Sequence, residues 1–186
     1  MAKDSRALSE RLIRNLHEAP LQFNALEPLY ACSHARLTEG TAARKLAAGV
    51  NVLPPGKRAC PYHLHLAQEE MFVVMEGTGS LRVAGELLPI KAGDVIVIPP
   101  GRDYPHQIIN TSSAPLKYLA IGTTDDPEIC EYPDSGKYLA EGGVGSAQPF
   151  QVIGKSSASL EYWEGETGAG IDAPQSQNLK KIQGDS

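Results

Sequence analysis

Cysteine, aromatic side chains and long apolar runs are all scarce in this chain. The cysteines Cys32, Cys60 and Cys130 are odd in number and widely spaced, which argues against a disulfide framework or a cysteine-based zinc site. Aromatics make up only 6% of the 186 residues. No stretch approaches the roughly 20 apolar residues that span a bilayer, so neither a transmembrane helix nor a membrane partner is expected. There is no basic field either: the net charge is −5, and nucleic acid is not an expected partner. The start, Met1-Ala2-Lys3-Asp4-Ser5-Arg6, lacks the apolar core of a signal peptide. With so few thiols, the default expectation is a cytoplasmic, reducing location.

What is plentiful is turn-forming residues, with 18 glycines and 14 prolines. That favours β structure over a helical bundle, and the length suits one domain with an appendage. Charge divides unevenly. Residues 1–122 carry 13 basic and 11 acidic side chains, a net of +2, and residues 123–186 carry 4 and 11, a net of −7. The plain reading of that acidic end is a solvated surface.

Residues 5–18 read as one helix. Leu8, Leu12, Ile13 and Leu16 form a narrow apolar stripe, Asp4 or Ser5 can cap the start, and Pro20 follows the end. From about residue 44 the pattern turns to short strands, predicted at 45–53, 62–66, 71–75, 80–83, 86–88, 94–98, 106–109 and 116–121. Gly and Pro clusters punctuate them, as in an antiparallel sandwich or barrel. Residues 71–75 and 95–98 are apolar on both faces, so both faces are expected to be covered, by the helix, the C-terminal part or a second subunit. The segment 130–136 resembles a turn, 141–159 reads partly as linker, and 150–153 and 160–163 are apolar islands.

The chemistry concentrates between Gly56 and Asn110. His63 and His65 are two apart on a predicted strand, so their rings share a face. Glu70 begins the next strand, and His106 follows later. Three imidazoles and one carboxylate converging in a small barrel suit a divalent first-row metal with positions left open.

These residues resemble the two motifs of the cupin superfamily. Gly56, His63, His65, Glu70 and Gly77 match Gly-x5-His-x-His-x3-4-Glu-x6-Gly, with one extra residue before His63. Gly93, Pro99, Gly101, His106 and Asn110 match Gly-x5-Pro-x-Gly-x2-His-x3-Asn, with four residues instead of two before His106. The resemblance covers about residues 44–122. It implies an all-β fold, a double-stranded β-helix or jelly-roll barrel, with a short N-terminal helix and an irregular C-terminal extension. The expected organisation is 1–35 helix and lead-in, 36–122 barrel, and 123–186 acidic extension. It further implies one divalent transition metal (Fe, Mn, Ni, Cu or Zn) held by His63, His65, Glu70 and His106.

Other residues of this stretch have plainer readings. Glu69 falls on the opposite face from Glu70 by strand alternation. Cys60, Tyr62 and Tyr104 read first as packing, Arg102 as a surface cation, and Asn110 as a turn closer. The functional expectation is a metal-binding cupin acting on a small organic molecule, as an oxygenase or isomerase. The alternative is a non-catalytic small-molecule binding or sensor protein. Because apolar faces outnumber obvious covers, a homodimer is the expected assembly.

Overall fold

The computed structural model describes residues 4–143 and 146–166. After α1 (Ser5–Leu12) the chain runs β1 (Gln22–Leu26), β2 (Tyr30–Arg36), β3 (Leu46–Leu53), β4 (Leu64–His65), β5 (Glu70–Glu76), β6 (Thr78–Val83) and β7 (Glu86–Lys91). It continues with β8 (Val95–Ile98), β9 (His106–Ile109), β10 (Leu116–Thr123), β11 (Glu128–Tyr132), β12 (Lys137–Gly142) and β13 (Phe150–Lys155). They form a six-stranded sheet β1-β2-β3-β10-β5-β8, a three-stranded sheet β7-β6-β9 and a four-stranded sheet β13-β12-β11-β4.

The six- and three-stranded sheets together supply the core. Cys32, Leu53, Phe72, Val74, Ile98, Leu116 and Tyr118 come from the first, and Leu81, Ile90 and Ile108 from the second. Leu53 and Leu116 are fully buried, each contributing about 2 kcal/mol through removal from water. Gly77 turns the chain between β5 and β6 at φ +84°. A Cβ there would strike the Pro115 carbonyl oxygen, so only glycine fits both the turn and the close approach. Asn110 is 0% exposed. Its amide donates to Leu53 O and Ala114 O, both at 2.8 Å, and its oxygen accepts from Ser112 N and Oγ at 3.0 and 2.8 Å. The expected turn closer is thus a buried knot joining β3, β9 and the approach to β10.

The helix is shorter than its apolar stripe suggested, ending at Leu12. Asp4 caps its start by accepting from Arg6 N. Beyond Ile13 the Asn15 side chain accepts from His17 N at 2.9 Å, a local turn that competes with helix continuation. None of its residues is buried, so it covers no strand face. Val95 and Val97 on β8 are 58% and 57% exposed. The outer face of that strand, expected to be covered, is open among the described residues.

The structure adds strands where the sequence showed none. β1 and β2 extend the large sheet beyond β3. β11, β12 and β13 form an antiparallel ladder in the acidic part, with β11 pairing to β4 through Cys130↔His65 and Glu131↔Leu64. That part is not simply a solvated surface. Glu128 is buried, Glu131 pairs with Arg102 at 2.6 and 3.0 Å, and Asp134 pairs with Arg82 at 2.6 and 2.9 Å. The three cysteines are free thiols. No helix among the described residues is long and apolar enough to cross a membrane.

Candidate metal centre

Three different stretches of chain deliver the four expected ligands. His63 and His106 are antiparallel bridge partners. His63 N donates to His106 O at 3.1 Å, and His106 N donates to His63 O at 2.7 Å. This reciprocal pairing sets the two rings 4.6 Å apart. His65 lies one pleat further along in β4, its ring 5.1 Å from that of His63, so the i, i+2 spacing does share a face. Gly101 N donates to His65 O at 2.8 Å, tying the loop before His106 to the first histidine pair. Glu70 is the first residue of β5 and is held between Ile98 of β8 and Gly122 of β10.

The Glu70 carboxylate is the meeting point. Its Oε2 lies 2.8 Å from His106 Nε2, 3.6 Å from His65 Nε2 and 3.9 Å from His63 Nε2. The donor atoms of His63, Glu70 and His106 all lie within 4.8 Å of one another. His65 falls outside that trio, though close to the glutamate.

The other ring nitrogens explain what meets there. His63 Nδ1 faces Pro61 O at 2.9 Å, and His106 Nδ1 faces Tyr104 O at 3.2 Å. A carbonyl oxygen only accepts, so each Nδ1 carries a proton and each Nε2 is the nitrogen turned toward Glu70. His106 Nε2 and Glu70 Oε2 are buried, and despite their 2.8 Å approach they make no hydrogen bond of acceptable geometry. Imidazole nitrogens and a carboxylate converging on one buried point suit a divalent cation. Burial pushes the His63 ring down to about 4, with the neighbouring His106 adding to the effect. The ring is thus neutral at physiological pH, as a metal ligand must be. Burial pushes the Glu70 carboxyl up, but His106 and the other rings outweigh this and hold it below the ordinary value.

A cavity of about 570 Å³ opens onto this cluster, with Phe72, Ile108 and Tyr118 in its wall beside His63, Glu70 and His106. Its volume lies in the range of small-molecule sites. A smaller cavity of about 170 Å³ lies on the side of the four-stranded sheet, between the histidines and Glu128, Cys130 and Tyr132.

The remaining sequence candidates sort themselves. Glu69 is exposed. Tyr62 is buried, its hydroxyl accepting from Gly85 N and its ring lying under the Arg82 guanidinium. Tyr104 is 47% exposed. Cys60 sits 3.8 Å from His63 Nδ1, and burial, followed by the Glu70 charge, pushes its thiol up to about 12, so it is an inert neighbour. Two residues escaped the sequence reading. Gln107 is 2% exposed and donates to Cys60 O at 2.8 Å; its only signal was adjacency to His106. Glu128 gave no signal, because it lies outside both motifs.

Comparison with known proteins bears on the fold around this cluster. The cupin domain family model matches residues 49–122. An uncharacterized protein of Methanocaldococcus jannaschii is 34% identical over 84 residues, which are 43% of this chain and 65% of that protein. An oxalate-binding protein of Thermotoga maritima is 36% identical over 69 residues, 37% of this chain and 54% of that protein. The chain therefore spans between about half and two thirds of the length of these curated relatives. A crystal structure from Silicibacter pomeroyi, described as a sugar phosphate isomerase of the cupin superfamily, superposes with a TM-score of 0.67 at 22% identity. That match covers 80% of this chain and 96% of the other. The motifs, the sheets around one core and the family match make residues 49–122 of this chain a cupin domain.

Proposed function

We propose that the chain is a metal-dependent cupin acting on a small organic molecule, with the ion held by His63, His65, Glu70 and His106. The observation that carries this is the convergence of three imidazole Nε2 atoms on Glu70 Oε2, at 2.8, 3.6 and 3.9 Å. Iron, manganese, nickel, copper and zinc are the candidate metals, and a bound ion would supply a Lewis acid or a redox centre. The chain's own part is to orient the ligands, to keep the His63 ring neutral and to line the cavity. Phe72 and Ile108 keep part of that wall apolar. Cys60 and Tyr118 also line it, and burial raises the pKa of both. Neither then moves a proton near neutral pH; Tyr30 and His34 are further titratable groups in the wall, and the reaction proposed is that of an oxygenase or an isomerase.

The test is metal content of protein purified without a histidine tag, followed by Co(II) titration of the wild type and His106→Ala. The wild type is expected to take one ion, and the variant to lose more than about 100-fold in affinity, beyond the 10–100-fold typical of outer-sphere changes. Full occupancy in His106→Ala would overturn the ligand set. A second reading, a binding protein without turnover, is favoured by the Thermotoga maritima relative named for binding oxalate. Oxalate bound by the metal-loaded protein, with no product formed, would select it.

We also propose a homodimer in a cytoplasmic setting. Val95 and Val97 on β8, and Phe150, Val152 and Ile153 on β13, are each more than half exposed, and a second copy would bury such strands. Light scattering at micromolar concentration should give twice the chain mass.

A further inference from the structure

The geometry points to Glu128 as the positioning residue for His65, an inference that rests on the metal reading above. Glu128 is the first residue of β11 and only 3% exposed. Its carboxylate is held by three consecutive backbone N–H groups: Oε1 accepts from Leu66 N at 2.9 Å, and Oε2 from Ala67 N at 3.0 Å and Gln68 N at 2.9 Å. Those residues directly follow His65. Cys130 pairs with His65 across the β4–β11 ladder, and Leu66 N donates to Ile129 O at 3.0 Å. The carboxylate is thus fixed relative to the His65 backbone from both sides.

Oε1 retains a second lone pair, and it lies 3.5 Å from His65 Nδ1. That nitrogen is buried and makes no hydrogen bond of acceptable geometry. The three candidate histidines compare directly. His63 and His106 each aim Nδ1 at a main-chain carbonyl two residues upstream, Pro61 O and Tyr104 O. For His65 the Glu128 carboxylate stands in that place. A separation of 3.5 Å is longer than a hydrogen bond, and a small rotation of the His65 ring would close it. A carboxylate behind a ligating imidazole fixes the tautomer and raises the basicity of the other nitrogen. Glu128 therefore keeps the His65 proton on Nδ1 and its Nε2 bare toward Glu70. It also makes the C-terminal sheet part of the site.

The experiment uses the full chain with Glu128→Gln, read in two ways. In metal-free protein, ¹⁵N NMR of the histidine rings should show His65 as the Nδ1–H tautomer in the wild type, shifted toward Nε2–H in the variant. His63 and His106 should not change, which a merely structural loosening would not achieve. In Co(II) titration the variant should bind about 10–100-fold more weakly. Should Glu128→Gln fail to fold, Glu128→Asp is read the same way, since it keeps the charge but withdraws it from His65. The inference is overturned if the His65 tautomer and the Co(II) affinity both match the wild type, even with stability lost. If the wild type takes no Co(II) but the tautomer still shifts, the metal reading fails and the positioning role stands.

Discussion

The sheets that enclose the core and the four-stranded sheet beside them are held by different forces. In the first, Val50, Leu53, Val74 and Leu116 are at most 1% exposed, and apolar burial dominates. In the second, Phe150, Val152 and Ile153 of β13 stand 52%, 51% and 67% exposed. That sheet is fastened mainly along one strand and the turn after it, through carboxylates at every third residue. Glu128 takes the N–H groups after His65, Glu131 takes Arg102 in the loop before His106, and Asp134 takes Arg82 on β6. The contacts have similar lengths but differ in burial, from Glu128 at 3% to a half-exposed Asp134 side chain. The lesson is that a late segment reaches the site through a buried carboxylate beside the Cys130–His65 pairing and reaches the surface through two ion pairs.

That contrast is broken most forcefully from the barrel side. Asn110→Ala removes two donated and two accepted hydrogen bonds at a fully buried position. It takes the Asn110 donor from the Leu53 carbonyl, whereas the Ala114 carbonyl keeps Ser112 Oγ at 2.9 Å. The expected loss is about 3 kcal/mol, measured by chemical denaturation at constant m-value. A loss below about 1 kcal/mol would mean that this loop is not integral to the barrel.

The seam between the two regions should respond to pH. Burial holds His63 at about 4 in the folded protein, against an ordinary 6.5. Between those values the unfolded chain binds a proton that the folded chain refuses. The stability contributed by the neutral ring is therefore complete above pH 6.5 and is lost as pH falls toward 4. The span is worth up to about 3 kcal/mol at 1.36 kcal/mol per pKa unit. Glu70, held below its ordinary value, adds a loss of the same sign at lower pH. Denaturation of metal-free protein at pH 7 and pH 5 checks this: His63→Gln should flatten the difference.

The same division decides what the sequence could reveal. His63, His65, Glu70 and His106 could be picked out because a metal site would ask for these residue types at short spacings, and the structure brings their side chains together around Glu70; Gly77 stood out because a positive φ demands glycine. The lengthened loop before His106 did not disturb its bridge to His63, since the two extra positions are taken up outside the pairing. β1 was illegible because all five of its residues are exposed, which leaves no burial alternation to read. β11 was illegible because its order comes from pairing with β4 and from contacts some 60 residues away in sequence, and β12 and β13 are built onto it. Strand preference depends on such context. Glu128 looked like one more acidic residue in an acidic stretch, and only the fold turns it toward His65.

The smallest effect sharpens the contrast most, because the two halves of one ion pair should not be equal. Asp134 is half-exposed and meets Arg82 in a two-pronged contact. Asp134→Ala should therefore cost no more than about 0.5–1 kcal/mol and should weaken with salt, as exposed pairs do. Arg82 does two things: it bonds Asp134, and its guanidinium lies 3.8 Å from the centre of the buried Tyr62 ring. Arg82→Ala forfeits that stacking and the cover of its aliphatic stem as well, about 1–2 kcal/mol in all. The excess over Asp134→Ala should survive high salt, because ring contact is screened less than an exposed pair. A double-mutant cycle read at low and high ionic strength separates the two parts. Equal losses for the two single variants, both vanishing in salt, would show that Arg82 serves only to tether the turn after β11 and not to seal Tyr62 into the barrel.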